Sequence, residues 1–245
     1  MKSSGSRDIG RRDILKAAGA VVALAPLLGR TAGAADTRIK IGVIGSGKVG
    51  TAIGRVWANA GHPVMFASRS LDHDKQLAAS IGANAHAGTP AEAAAFGEVL
   101  LFAVPYGALP ELGKALATQI KGKVIIDACN PFPNRDGEIA NRARAEGAGK
   151  VSSELLPGAR IVRAFNAIGA SDMGAAHEHP GRIGMPIAGD DKQAIETASR
   201  LIREVGYEPV LVGALDKGKY LMPGTPLQGE HSPEEVRKIA ATLTP

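Results

Sequence analysis

Gly45-Ser46-Gly47-Lys48-Val49-Gly50 spells Gly-x-Gly-x-x-Gly, a spacing suited to seating the pyrophosphate of a dinucleotide. Gly45 allows a tight turn, Gly47 lets the backbone approach the pyrophosphate, and Gly50 lets a helix pack close to the preceding strand. The amides of Ser46, Lys48 and Val49 then face the ligand at the positive end of that helix. About twenty residues beyond the glycines, where an NAD site carries an acid, the chain reads Ala67-Ser68-Arg69-Ser70. A carboxylate there would repel a 2′-phosphate. The Arg69 guanidinium offers that phosphate a charge-assisted contact and Ser68 a hydroxyl, so the residue types predict NADP(H). Gly42 to Lys48 also spells G-x-x-x-x-G-K, but a P-loop continues with Ser or Thr to hold magnesium, and Val49 follows here.

These residues need strands and helices to position them. Arg38-Ile39-Lys40-Ile41-Gly42-Val43-Ile44 alternates and then turns wholly apolar, as a central parallel strand does. Val49, Ala52, Ile53, Val56, Trp57 and Ala60 follow at helical spacing, Gly61-His62-Pro63 stops the helix, and Val64-Met65-Phe66-Ala67 is a second strand. Thr89-Pro90-Ala91-Glu92 opens a helix reaching about Phe96. Two further buried strands, Glu98 to Val104 and Lys123 to Cys129, flank a helix from Tyr106 to about Ile120. Ligands of open α/β sheets lie beyond the carboxyl ends of strands, so Ala103-Val104-Pro105 and Asn130-Pro131 are placed to border the nicotinamide. Strands are also expected at Arg160 to Phe165, Gly184 to Gly189 and Glu208 to Val212, with Asp190 capping the helix between the last two. The fold class is α/β, of Rossmann type: a doubly wound, mostly parallel sheet with helices on both faces. Residues 35–245 are expected to form one such domain with a short C-terminal extension.

Other chemistry is missing. No Tyr-x-x-x-Lys pair and no Gly-x-Ser-x-Gly elbow occurs, and no catalytic acid or base is assigned. Cys129, the single cysteine, reads as a small buried hydrophobe. His177-Glu178-His179, beside Pro180-Gly181, reads as a solvated loop, so no metal site is expected; His62 and His73 read as turn residues.

The charge balance divides unevenly. The whole chain is +5, but residues 1–34 hold Lys2, Arg7, Arg11, Arg12, Lys16 and Arg30 against Asp8 and Asp13, which leaves 23 bases and 22 acids elsewhere. No nucleic-acid partner follows from that. A basic stretch, the apolar run Ala17 to Leu28 and the small residues Ala32-Gly33-Ala34 have the three-part layout of a secretory signal. Arg11-Arg12-Asp13-Ile14-Leu15-Lys16 resembles the twin-arginine export signal, with Ile14 where Phe is common and Gly10 where Ser or Thr is common. The resemblance implies the twin-arginine translocase as a partner, cleavage after Ala34 and a periplasmic or exported protein. The twelve-residue run is too short to span about 30 Å of hydrocarbon, so no stable membrane span is expected.

Ile41 to Gly50, Ala67-Ser68-Arg69, Ala103-Val104-Pro105-Tyr106 and Val162-Arg163-Ala164-Phe165-Asn166 together resemble the NADPH-dependent reductases of the deazaflavin coenzyme F420. The resemblance spans roughly residues 38–223. It implies that Ser46 and Val49 touch the pyrophosphate, that Ser68 and Arg69 hold the 2′-phosphate, and that the acceptor stacks on the nicotinamide. Hydride then passes directly between rings, which accounts for the missing acid and base. Coenzyme F420, a flavin or a ferric chelate are the acceptors to weigh. A non-catalytic NADP sensor and a small β-hydroxyacid or imine reductase are the alternatives, and the subunit number stays open, with a homodimer among the options.

Overall fold

The computed structural model describes residues 38–173 and 176–243. Contacts divide the chain into two units, Met1–Thr37 and Arg38–Pro245, and the leader expected over residues 1–34 lies outside the described residues.

Eight strands form one sheet: β1 (Ile41–Ile44), β2 (Val64–Ala67), β3 (Ala85–Ala87), β4 (Val99–Phe102), β5 (Val124–Asp127), β6 (Arg160–Arg163), β7 (Gly184–Gly189) and β8 (Glu208–Gly213). Their order is β3-β2-β1-β4-β5-β6-β7-β8, and the first six run parallel, the doubly wound order that the apolar runs lead one to expect. β7 departs from it by running antiparallel to β6. Parallel neighbours need a crossover, usually a helix, and among the described residues between β6 and β7 there is only the 3₁₀ turn Ala176–Glu178.

The helices are α1 (Lys48–Asn59), α2 (Leu71–Ile81), α3 (Pro90–Phe96), α4 (Leu109–Ala115), α5 (Ala117–Ile120), α6 (Pro133–Asp136), α7 (Glu138–Glu146), α8 (Ala148–Leu155), α9 (Lys192–Glu204) and α10 (Pro233–Ala241). Every residue of β1, β4 and β5 is buried, because helices cover both faces of the sheet. One face packs Trp57, Phe66 and Leu101 with Leu201 and Ile202; the other packs Phe102, Tyr106 and Leu109 with Val151. Trp57 Nε1 donates to the Leu201 carbonyl at 2.8 Å, which ties α1 to α9. α3 opens at Thr89 and Pro90 as expected, and Thr89 and Glu92 there form a reciprocal capping box.

Three local expectations are corrected. α9 is capped by Asp191, whose side chain accepts from the Ala194 amide, while Asp190 accepts from the Leu215 amide 25 residues away. The helix expected from Tyr106 to Ile120 is a 3₁₀ turn, Tyr106–Ala108, followed by α4 and α5, with a break at Leu116. His62 is buried: its Nδ1 accepts from the Ile39 amide at 2.8 Å and its Nε2 meets Glu204 at 2.6 Å, so the ring ties the entry of β1 to α9.

Candidate functional site

The site grows from the carboxyl ends of four strands. The residue after three of them, β1, β4 and β5, continues the ladder: Gly45 N–H donates to the Ala67 carbonyl at 2.7 Å, Ala103 N–H to Ile44 at 2.9 Å, and Ala128 N–H to Phe102 at 2.9 Å. The loops are thereby fixed to one another before any ligand arrives. Their meeting place is the switch point, where β1 pairs with β2 on one side and β4 on the other.

In the glycine loop, Gly45 has φ +105°, and a Cβ there would lie 2.4 Å from the Ala103 carbonyl oxygen. A Cβ on Gly50 would lie 2.0 Å from the Gly45 oxygen, so the close helix-to-strand approach is real. Gly47 differs: its φ is −74°, and a Cβ would meet nothing within 4 Å. The fold leaves room for a side chain there, and a ligand lying against the backbone supplies the reason for glycine. Gly47 caps α1 without a side-chain hydrogen bond, and the first turn holds no acid. Three features thus fit a pyrophosphate: amide donors without side-chain competition, the helix dipole, and open space above Gly47. Gly42, the first residue of the P-loop-like string, lies inside β1, where a Cβ would come within 2.2 Å of the Ala93 oxygen.

Beyond β2, the glycine loop and the Ser68 turn are joined by a residue that sequence inspection passed over. The carboxylate of Asp74, fully buried on α2, accepts from the Ser46 hydroxyl, from the Ser68 amide at 2.7 Å and from the Ser68 hydroxyl at 2.9 Å. His73 Nε2 lies 3.3 Å from the Ser46 carbonyl oxygen. The Ser68 hydroxyl therefore points its hydrogen at Asp74 and accepts from the Ser70 amide at 3.2 Å; in this arrangement it steadies the turn and offers a phosphate no donor. Ser70 caps α2. Arg69 is exposed, and among the described residues its guanidinium takes no hydrogen bond or ion pair.

On the other side of the switch point, Lys48, Val49, Ala103, Val104, Pro105 and Asn130 line one cleft of about 190 Å³. The structure thus brings these six together, while Ser68 and Arg69 stand apart at the end of β2. Asn130 is held by donating to the Asn166 carbonyl at 2.8 Å, and its own Oδ1 has no partner. Asn166 follows Phe165, the one non-glycine described residue in the left-handed region, at φ +66°. That strained turn ends β6 and delivers the Asn166 carbonyl to Asn130; the Phe165 amide lies 3.3 Å from Met185 Sδ.

Beneath the cleft lies a buried ion pair. Arg163 and Asp127 face each other in register across β6 and β5, both fully buried, with Nη1 to Oδ2 at 2.7 Å. The other Asp127 oxygen accepts from the Cys129 amide at 2.9 Å, and Arg163 Nη2 donates to the Cys129 carbonyl at 3.2 Å. The pair clasps the turn leading to Asn130. Cys129 is buried as expected, and burial, with the charge of Asp127 second, pushes its thiol well above the ordinary range. In the native protein at pH 8 the thiol should react with a disulfide reagent at least tenfold more slowly than in denaturant. Equal rates would show that the site opens freely. Among the described residues no group of three or more His, Cys, Asp or Glu is arranged to hold a metal ion, and no helix is long and apolar enough to cross a membrane. The side chain of His177 lies outside the described residues.

Comparison with known proteins points the same way. Residues 40–131 match the family described as NADP oxidoreductase, coenzyme F420-dependent. The F420-dependent NADP reductase of Methanothermobacter marburgensis is 30% identical over 207 residues, covering 77% of this chain and 90% of that protein. The metalloreductase STEAP3 of Rattus norvegicus is 28% identical over 179 residues; the match covers 72% of this chain but only 34% of that longer protein. Among solved structures, a hypothetical protein from Sinorhizobium meliloti superposes with a TM-score of 0.64 at 26% identity, covering 78% of this chain and 93% of the other.

Proposed function

Because this chain belongs to the family of coenzyme F420-dependent NADP oxidoreductases, we propose that it transfers hydride between NADP(H) and a deazaflavin of the F420 type. It is an NADP-dependent oxidoreductase. The observation that carries the site assignment is the bare start of α1: an uncapped helix end, with open space over Gly47, at the switch point of the sheet.

Each residue then has a physical task. Amides from Ser46 to Gly50 receive the pyrophosphate, and Arg69, free of any partner among the described residues, receives the 2′-phosphate. Asp74 holds the Ser46 and Ser68 segments in register with each other, so the two phosphate sites keep a fixed separation. Val104 and Pro105 give the cleft an apolar wall, and Asn130, with its unpartnered Oδ1, stands at its border. Bound there, the nicotinamide supplies the hydride, and transfer to another ring requires alignment and no protein acid or base.

Gly47→Val separates ligand binding from folding. Its side chain enters open space, so stability should change by less than about 1 kcal/mol, while NADPH affinity should fall by about a hundredfold as the new methyls occupy the pyrophosphate's place. Isothermal titration and urea unfolding on one preparation check both; NADPH binding retained within threefold would remove the pyrophosphate from this loop. The function itself is tested by mixing the protein with NADPH and coenzyme F420 and following loss of the deazaflavin absorbance. A ferric chelate and FMN belong beside it, the first because a metalloreductase is among the relatives. Tight NADPH binding without reduction of any of them would make the protein a sensor.

For residues 1–34, export by the twin-arginine route remains our proposal, with the cofactor bound before translocation. N-terminal sequencing of the protein from its native compartment should begin at Ala35; a chain beginning at Met1 in the cytoplasm would overturn it.

A further inference from the structure

β7 brings its first residues to the cleft end of the sheet. Because it runs antiparallel to β6, pairing Val162 with Gly189 and Arg163 with Ala188, its start at Gly184 and Met185 lies toward the carboxyl end of β6. The ladder between the two strands holds only those pairs, and Pro186 has no N–H with which to extend it. Phe165, two residues past the end of β6, turns its buried amide to a side chain instead and donates to Met185 Sδ at 3.3 Å. A thioether is a weak acceptor, but it is the one this amide has, and Met185 is fully buried.

The place of that contact gives it leverage. At φ +66°, Phe165 holds a conformation that costs a non-glycine residue free energy and persists only where neighbours impose it. Among the described residues the turn is held through its backbone: the Phe165 N–H by Met185, the Asn166 carbonyl by Asn130 Nδ2 at 2.8 Å, and the Ala167 carbonyl by the Gly229 N–H at 2.9 Å. The Phe165 ring adds an edge-on contact with Tyr207, centroids 6.1 Å apart. The Asn166 carboxamide adds nothing, since neither its Nδ2 nor its Oδ1 has a partner. Of these holds, the Asn130 bond is the one that reaches the cleft, which Asn130 lines. A shift of the Phe165 peptide therefore moves the Asn166 carbonyl and, with it, the side chain at the nicotinamide's border.

We propose that Met185 is a positioning residue for the cleft: its thioether, acting through the Phe165 amide, holds the turn that sets Asn130 against the nicotinamide. The proposal rests on the hydride-transfer reading above and deepens it, because Met185 lies outside the residues 40–131 that match the family. Hydride transfer is steeply sensitive to alignment, a misplacement of about 1 Å costing about a hundredfold.

Met185→Leu keeps the bulk of the side chain and removes the acceptor. In single turnovers of the full chain loaded with NADPH and mixed with coenzyme F420, its rate should fall about tenfold while NADPH affinity stays within about twofold, because both phosphate groups are held elsewhere. The fluorescence of bound NADPH, read before any acceptor is added, should fall toward that of the free cofactor as the nicotinamide loosens. Asn130→Ala should slow transfer by about as much, and Met185→Leu added to it should cost less than about twofold more, because the relay is already cut. Losses that multiply to about a hundredfold in the double variant, a Met185→Leu rate within about twofold of the unaltered protein's, or NADPH affinity falling in step with the rate would each overturn the proposal, the last by reducing the contact to general stability. Fluorescence separates the two levels. If it falls as expected in Met185→Leu but the unaltered protein reduces no deazaflavin, hydride transfer to that acceptor falls and the positioning role stands. If the unaltered protein reduces the deazaflavin and Met185→Leu matches it in rate and fluorescence, the positioning role falls and hydride transfer stands.

Discussion

Arg163→Met should lower the free energy of unfolding by about 3–5 kcal/mol, the largest stability loss expected from one substitution near the site. Arg163 and Asp127 are both fully buried and meet at 2.7 Å. Removing the guanidinium leaves the carboxylate without its counter-ion and removes the Nη2 bond to the Cys129 carbonyl. An uncompensated buried charge is costly because the interior offers it little solvation. The pair itself need not be a large net stabiliser, since Arg163 Nε has no partner and two charges have left water. The double variant Asp127→Leu with Arg163→Met should therefore recover most of the loss. Urea unfolding of the three proteins reads this directly; a single-variant loss below about 1 kcal/mol would mean that water reaches the pair. Because Asp127 also accepts from the Cys129 amide, the single variant should loosen the Asn130 turn and weaken acceptor reduction even where the protein is fully folded.

Arg69→Asp should lower NADP⁺ affinity by about a hundredfold and leave NAD⁺ affinity equal or higher, reversing the cofactor preference. The charge-assisted contact is lost and a like charge is set against the 2′-phosphate, each effect being worth about 1–3 kcal/mol where solvent partly screens it. Arg69 is exposed and takes no partner among the described residues, so the substitution removes nothing that the fold relies on. Ser68→Ala should act differently: it leaves the guanidinium in place but removes a hydroxyl that Asp74 and the Ser70 amide use, so both cofactors should weaken together. Parallel titrations with NADP⁺ and NAD⁺ decide it; a preference unchanged in Arg69→Asp would remove Arg69 from the cofactor.

What the sequence made legible follows the range over which each signal acts. The glycine loop, the apolar runs of β1, β4 and β5, and the Thr89-Pro90-Ala91-Glu92 cap are local, and each appears where its spacing placed it. Asp74 was illegible because its partner Ser46 lies 28 residues away and an acid in the first turn of a helix is ordinary. Asp127 with Arg163 depends on strand register across 36 residues, which no alternation pattern reports. β3, three residues reading Ala-His-Ala, and α6 to α8, rich in small and charged residues, have too little apolar periodicity to stand out.

The central claim is direct ring-to-ring hydride transfer from NADPH at the cleft between Val49, Val104 and Asn130. Its most direct test is a single turnover with NADPH tritiated at the transferable C4 position and coenzyme F420 as acceptor. The label should leave the nicotinamide and appear on the reduced deazaflavin with none released to water. Label retained on the nicotinamide, or lost to solvent while the deazaflavin is reduced, would contradict it.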